Sequence, residues 1–136
     1  MGETAIRLTE GERHVFKRRA RIPVSEWASQ NLIVQDGPYA GSRLRLDVSA
    51  YLIGIMDAFS DSTVEEVIVC GGHQLGKTLA LYSCLAYAID MWPGTKMLAM
   101  PSDQMLERVE SDKLRPLLTR SPALRRLLGK VTSGHF

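Results

Sequence analysis

Eight consecutive residues, Gly71-Gly72-His73-Gln74-Leu75-Gly76-Lys77-Thr78, bring together the residue types that can hold a polyphosphate. Their order is a glycine, four variable residues, then Gly-Lys-Thr, which matches the phosphate-binding P-loop pattern without a mismatch. Gly71 and Gly76 permit backbone angles that other residues resist, so successive N–H groups can turn inward and cradle phosphate oxygens. Lys77 supplies a mobile ammonium to the β- and γ-phosphates, and the Thr78 hydroxyl suits a magnesium ion bridging the same phosphates. Gly72, His73, Gln74 and Leu75 complete the loop. The chemistry this set points to is binding of ATP with Mg2+.

A loop of this kind works only between a strand and a helix, and its flanks have those signatures. Residues 64–70, VEEVIVC, are rich in β-branched types and stop abruptly at Gly71-Gly72, as a strand would. After Gly76 the composition is helical, with Leu79, Ala80, Leu81, Leu85, Ala86 and Ala88 apolar almost all round, so that helix is expected to be buried. The positive end of its dipole then faces the phosphates. Pro93 and Gly94 end it, and residues 96–100 read as a second short strand stopped by Pro101.

Upstream, Tyr51, Leu52, Ile55, Met56 and Phe59 recur on one face of an amphipathic helix, with Asp47 or Ser49 as its cap. Ser25 is placed to cap a short helix through Trp27, and Asp36-Gly37-Pro38 breaks the chain after Leu32 to Val34. A further helix begins near Ser102, carries Met105, Val109 and Leu114, and is interrupted at Pro116. The order helix, strand, loop, helix, strand, helix argues for α/β architecture around a parallel sheet.

The bulk numbers agree with one domain of that kind. The chain has 136 residues, 45% of them hydrophobic, enough for a packed core. A formal net charge of +2 does not mark a nucleic-acid binder by itself, so any basic patch must be local. Arg7, Arg13, Lys17, Arg18, Arg19 and Arg21, offset by Glu3, Glu10 and Glu12, form such a basic arm over residues 1–24. It reads either as solvated surface or as a track for DNA phosphates. Cys70 and Cys84 show no paired metal spacing and read as small buried hydrophobes in a reducing compartment. The longest nearly uncharged run, residues 79–89, is too short to span a bilayer, and no apolar signal-like core precedes it. The expectation is a cytoplasmic chain with no membrane partner.

Around the loop the sequence resembles the large terminase subunit of tailed bacteriophages, in particular the lambda-like family. The resemblance runs in order over residues 25–128. It begins with Trp27-Ala28, Ala50-Tyr51, Ile55-Met56-Asp57-Ala58 and Ser60-Asp61. Gln74-Leu75-Gly76-Lys77-Thr78 resembles the family's variant of the P-loop. Ala88-Ile89-Asp90, Pro93-Gly94, Ala99-Met100-Pro101-Ser102, Ser111 with Leu114-Arg115-Pro116, and Ser121-Pro122-Ala123-Leu124 continue it.

The resemblance implies a RecA-like P-loop NTPase core of the additional-strand type, with residues 25–136 as its N-terminal portion. It implies an ATP-driven motor that packages double-stranded DNA into a capsid in the bacterial host cytoplasm. Partners would be the DNA, a terminase small subunit and the portal or procapsid, with the full-length chain a homo-oligomer and a nuclease as a separate domain. Rival readings are another nucleic-acid P-loop ATPase such as a helicase, and a truncated non-catalytic prophage remnant.

Two departures accompany the resemblance. Where many relatives have a loop arginine beside the γ-phosphate, this chain has His73, and histidine, unlike arginine, is not a permanent cation. It reads either as a catalytic cation or as a plain loop residue. The acidic pair that binds magnesium and activates water in this class has no counterpart: Asp90, Asp103, Glu107, Glu110 and Asp112 all fall on or beside helices. The expectation is therefore an incomplete core, inactive alone. Tyr51 matches an aromatic that in relatives lies near adenine, and it reads either as a stacking platform or as part of its helix's apolar face. Trp27 and Trp92 read as core anchors.

Overall fold

The computed structural model describes Thr9, residues 21–92 and residues 94–128. Most of the basic arm, including Arg13 to Arg19, lies outside the described residues. Helix α1 spans Val24–Asn31, α2 Tyr51–Ser60 and α3 Lys77–Met91. Helix α4, Asp103–Val109, runs through a π-helical turn, Glu110–Leu114, into α5, Arg115–Arg120, and α6 follows at Pro122–Arg125.

α3 is central, with α1, α2 and α6 packed against it. The core it organises holds Val24, Trp27, Ala28, Leu52, Met56, Ala80, Ala86, Tyr87 and Leu124. Trp27 meets Tyr87 edge-on at 5.8 Å, Tyr87 meets Trp92 at 5.6 Å, and Trp92 stacks on Phe59 at 5.1 Å. This aromatic chain ties α1, α2 and the end of α3 together, each well-buried side chain contributing about 1.5–3 kcal/mol. Trp27 is a core anchor as expected; Trp92 is only partly buried.

Helix ends are secured by tertiary partners more than by local caps. α1 starts after Pro23 with Ser25 inside it, so Ser25 is not the cap. The orphan N–H groups of Val24 and Ser25 bond instead to Ser60 Oγ and Asp57 Oδ1 of α2, at 3.4 and 3.0 Å. α2 starts after Ala50 without a side-chain cap, so neither Asp47 nor Ser49 caps it. Asp47 pairs with Arg45 at 2.5 Å, and that hydrogen bond holds its carboxyl below the usual range. Ser102 does cap α4, its Oγ accepting from Met105 N at 3.3 Å.

The two expected strands differ from expectation. Residues 64–70 and 95–100 form no regular secondary structure, and among the described residues the only sheet pairing is a single antiparallel bridge, Ile33 to Arg43. The parallel sheet is thus not formed by these residues. An extended run becomes a strand only when a neighbour about 4.8 Å away closes its hydrogen bonds. Here the Val64 amide bonds to Asp61 O at 3.2 Å, and no backbone–backbone bond uses residues 65–70 or 95–100. Both runs instead border a cleft of about 900 Å³, walled by Val67, Val69, Leu81, Leu85, Met97 and Leu98. That is why Leu81 is exposed although its helix is otherwise largely buried. Cys70 is likewise exposed, and only Cys84 is the buried hydrophobe expected of both.

Candidate functional site

The loop Gly71 to Gly76 enters α3 through two residues in the left-handed region, Gln74 at φ 57° and Gly76 at φ 69°. The glycine requirement is therefore real at Gly76, whereas Gly71 does not have positive φ. Gly76 carries a second constraint: a Cβ there would lie 3.0 Å from Leu52 Cδ1. At Gly71 and Gly72 an added methyl would meet the side chains of Leu75 and Lys77 at ordinary contact distances, the nearest being Leu75 Cδ1 at 3.6 and 3.5 Å. Gln74, an L-residue in αL conformation, stores about 1–2 kcal/mol of strain, which the loop's surroundings must offset.

Among the described residues no backbone–backbone hydrogen bond uses the N–H groups of residues 71–76. They stand as unsatisfied donors at the N-terminus of a 15-residue helix, the arrangement that attracts an anion. Lys77 Nζ folds back on the loop and donates to Gly71 O at 3.0 Å and also to Gly72 O. The cation is thereby stored within a few ångströms of the donors it would assist. Thr78 and His73 are exposed.

Tyr51 and Leu52, the first residues of α2, hold the loop's exit from beneath. Leu52 packs under Gly76, and Tyr51 Oη donates to Leu75 O at 3.1 Å. Sequence reasoning named Tyr51 for a different purpose and missed Leu52, whose only signal was its place in the α2 apolar pattern.

A second cleft, about 350 Å³, opens beside Thr78 and is walled by Leu79, Tyr82, Ile33, Leu44 and Leu117. Lys113, from the π-helical turn, and Asp36 pair across its rim, and Arg120 bonds Gln35 at 3.1 Å, joining the C-terminal helices to the turn after α1. Burial pushes the Tyr82 phenol above its ordinary value, so it stays a neutral donor at physiological pH. Tyr51 borders neither cleft.

Three of the five acidic residues after Thr78 are engaged elsewhere. Asp90, its side chain 3% exposed, accepts from Trp27 Nε1 and Arg126, each at 3.0 Å. Glu110 pairs with Arg115 at 3.1 Å, Asp112 accepts from Ser111 Oγ at 2.8 Å, and Asp103 and Glu107 are exposed on α4. Among the described residues no cluster of three or more His, Cys, Asp or Glu side chains is placed to hold a metal.

A glycine loop that hands its chain directly into the start of a helix beginning Lys-Thr is the local architecture of the P-loop ATPases as a class. The family of the phage terminase large subunit gpA, ATPase domain, matches residues 40–135. The chain belongs to that family, and so to the ATPase part of a terminase subunit involved in packaging phage DNA. That membership favours neither a helicase nor a non-catalytic remnant. No curated protein and no solved structure matches the chain. No helix among the described residues is long and apolar enough to cross a membrane.

Proposed function

We propose that residues 71–78 bind the triphosphate of ATP together with Mg2+, and that this binding is the chain's contribution to DNA packaging. The observation that carries the reading is the set of unpaired loop N–H groups at the start of α3, with Lys77 held on the carbonyls of the same loop. The N–H groups of Gly71, Gly72, His73, Gln74, Leu75 and Gly76 receive phosphate oxygens. Lys77 leaves the Gly71 and Gly72 carbonyls for the β- and γ-phosphates, exchanging a neutral acceptor for an ionised one. Thr78, exposed at the first turn of α3, offers its hydroxyl to the metal. When bound, Mg2+ neutralises charge on the β- and γ-phosphates. His73, exposed on the loop, is the residue available to assist Lys77 at the γ-phosphate. The cleft beside Thr78 offers the nucleoside an apolar wall in Leu79 and Leu117.

The same reading extends to the fold and the partners. Residues 64–70 and 95–100 are strands of a RecA-like, additional-strand sheet, and further strands seat in the 900 Å³ cleft between them. The exposed apolar side chains Ile68 and Met97 support this, since an open edge with uncovered faces calls for strand neighbours. Residues 1–24 form a basic arm and residues 25–136 the ATPase unit. The working assembly is a homo-oligomer in the host cytoplasm that engages double-stranded DNA, a small subunit and the portal.

The test is a thermal unfolding series with and without ATP and Mg2+. A ligand stabilises only the state it binds, so Lys77→Ala abolishes the nucleotide-dependent shift. Equal shifts in both proteins remove the assignment.

A further inference from the structure

Tyr51 stands at the first position of α2, is 55% exposed, and donates its hydroxyl to Leu75 O at 3.1 Å, a contact reaching across 24 residues of sequence. Leu75 lies between the two left-handed residues of the loop, Gln74 and Gly76. The Leu75–Gly76 peptide is trans, because the described chain contains no cis bond. In a trans peptide the carbonyl and the next N–H point in opposite directions. A hydroxyl that grips Leu75 O from the α2 side therefore turns the Gly76 N–H away from α2, toward the open side of the loop. Leu52, one residue on, packs close to Gly76, its Cδ1 3.0 Å from where a Cβ would lie.

From this geometry we infer that Tyr51 is a positioning residue for the phosphate cradle, acting through the Leu75–Gly76 peptide rather than by contact with a base. The proposal rests on the reading of residues 71–78 as a triphosphate site. The ring borders neither of the two clefts beside α3, so the apolar walls of those clefts do not bring a base onto it. Gln74 supplies the reason a tether is required, since an L-residue at φ 57° relaxes out of the left-handed region unless its neighbours are held.

The experiment compares the full chain with its Tyr51→Phe variant, which keeps the ring and loses the hydroxyl. Three ligands are titrated with Mg2+: ATP, GTP and inorganic tripolyphosphate. Loss of one hydrogen bond to a loop carbonyl weakens all three by the same factor, about three- to tenfold. In the ligand-free proteins, trypsin cuts after Lys77 faster in the variant, while amide hydrogen exchange in α1 to α6 is unchanged. Unchanged affinity for all three ligands overturns the proposal, as does a loss confined to ATP, which would make the hydroxyl a base contact. Faster exchange throughout the chain also overturns it, because the hydroxyl would then be holding the fold and not the loop. Failure of the wild-type chain to bind any of the three sinks the triphosphate assignment itself, a result that the Lys77→Ala comparison reads separately.

Discussion

Replacing Gly76 with alanine tests the loop where its backbone and its packing are both constrained. The residue has φ 69°, and the new Cβ would lie 3.0 Å from Leu52 Cδ1 and 3.7 Å from Cδ2. Holding alanine in the left-handed region costs about 1–2 kcal/mol. Restricting the unfolded chain returns about 0.4–1 kcal/mol, leaving a net backbone cost near 1 kcal/mol. Leu52 is 1% exposed and has little room to retreat, so crowding adds about 1 kcal/mol more.

If the loop keeps its shape, Gly76→Ala lowers the stability by about 2 kcal/mol, read as a lower urea midpoint at constant slope. If the residue instead swings to negative φ, stability is spared and the Gly76 N–H leaves the cradle. Triphosphate affinity then falls about tenfold or more. Leu52→Val, which removes both Cδ carbons at about 1 kcal/mol of its own, separates the terms. In that background the crowding part of the alanine cost disappears and a coupling of about 1 kcal/mol emerges. Unchanged urea midpoint together with unchanged affinity in the single mutant would refute the account of the loop exit.

Two further outcomes follow from the core. Asp90→Ala leaves the Trp27 indole N–H without its acceptor and strips Arg126 of a buried charge partner, so urea denaturation shows a loss of about 2–4 kcal/mol; a loss under 1 kcal/mol would show that the pair is not structural. Cys70 is exposed, whereas burial pushes the Cys84 thiol from 9.0 up to about 12. A thiol reagent at neutral pH therefore labels Cys70 quickly and Cys84 only on unfolding. Because the folded value is the raised one, this contribution is fully present below pH 9. Stability then falls by up to about 1.4 kcal/mol per unit as pH rises between 9 and 12. In a Cys84→Ala protein that part of the alkaline loss is absent; its persistence would show that another group is responsible.

The eight-residue loop, the helix that follows it and the family were legible in the sequence because each rests on local chemistry. A Gly-Lys-Thr that opens an apolar helical run needs no distant partner to be recognised, and the apolar stripe of α2 follows from its own periodicity. The start of α4 near Ser102 was legible too, and Ser102 caps it from within its own turn. What tertiary structure decided lies between segments far apart in the chain. The caps of α1 are Asp57 and Ser60, more than 30 residues away, so no local rule finds them.

Residues 64–70 have strand composition, yet pairing is a property of two segments, and alongside these residues none is paired. Leu81 was exposed by the cleft that results, and Cys70 is exposed outside that cleft. At the loop itself, residue types marked where phosphates would bind, but the burden of left-handed geometry fell on Gln74 and Gly76 and not on Gly71. Which way the Gly76 N–H faces rests on Tyr51 and Leu52, because the direction of a peptide plane is set by what grips its carbonyl and what packs beside it.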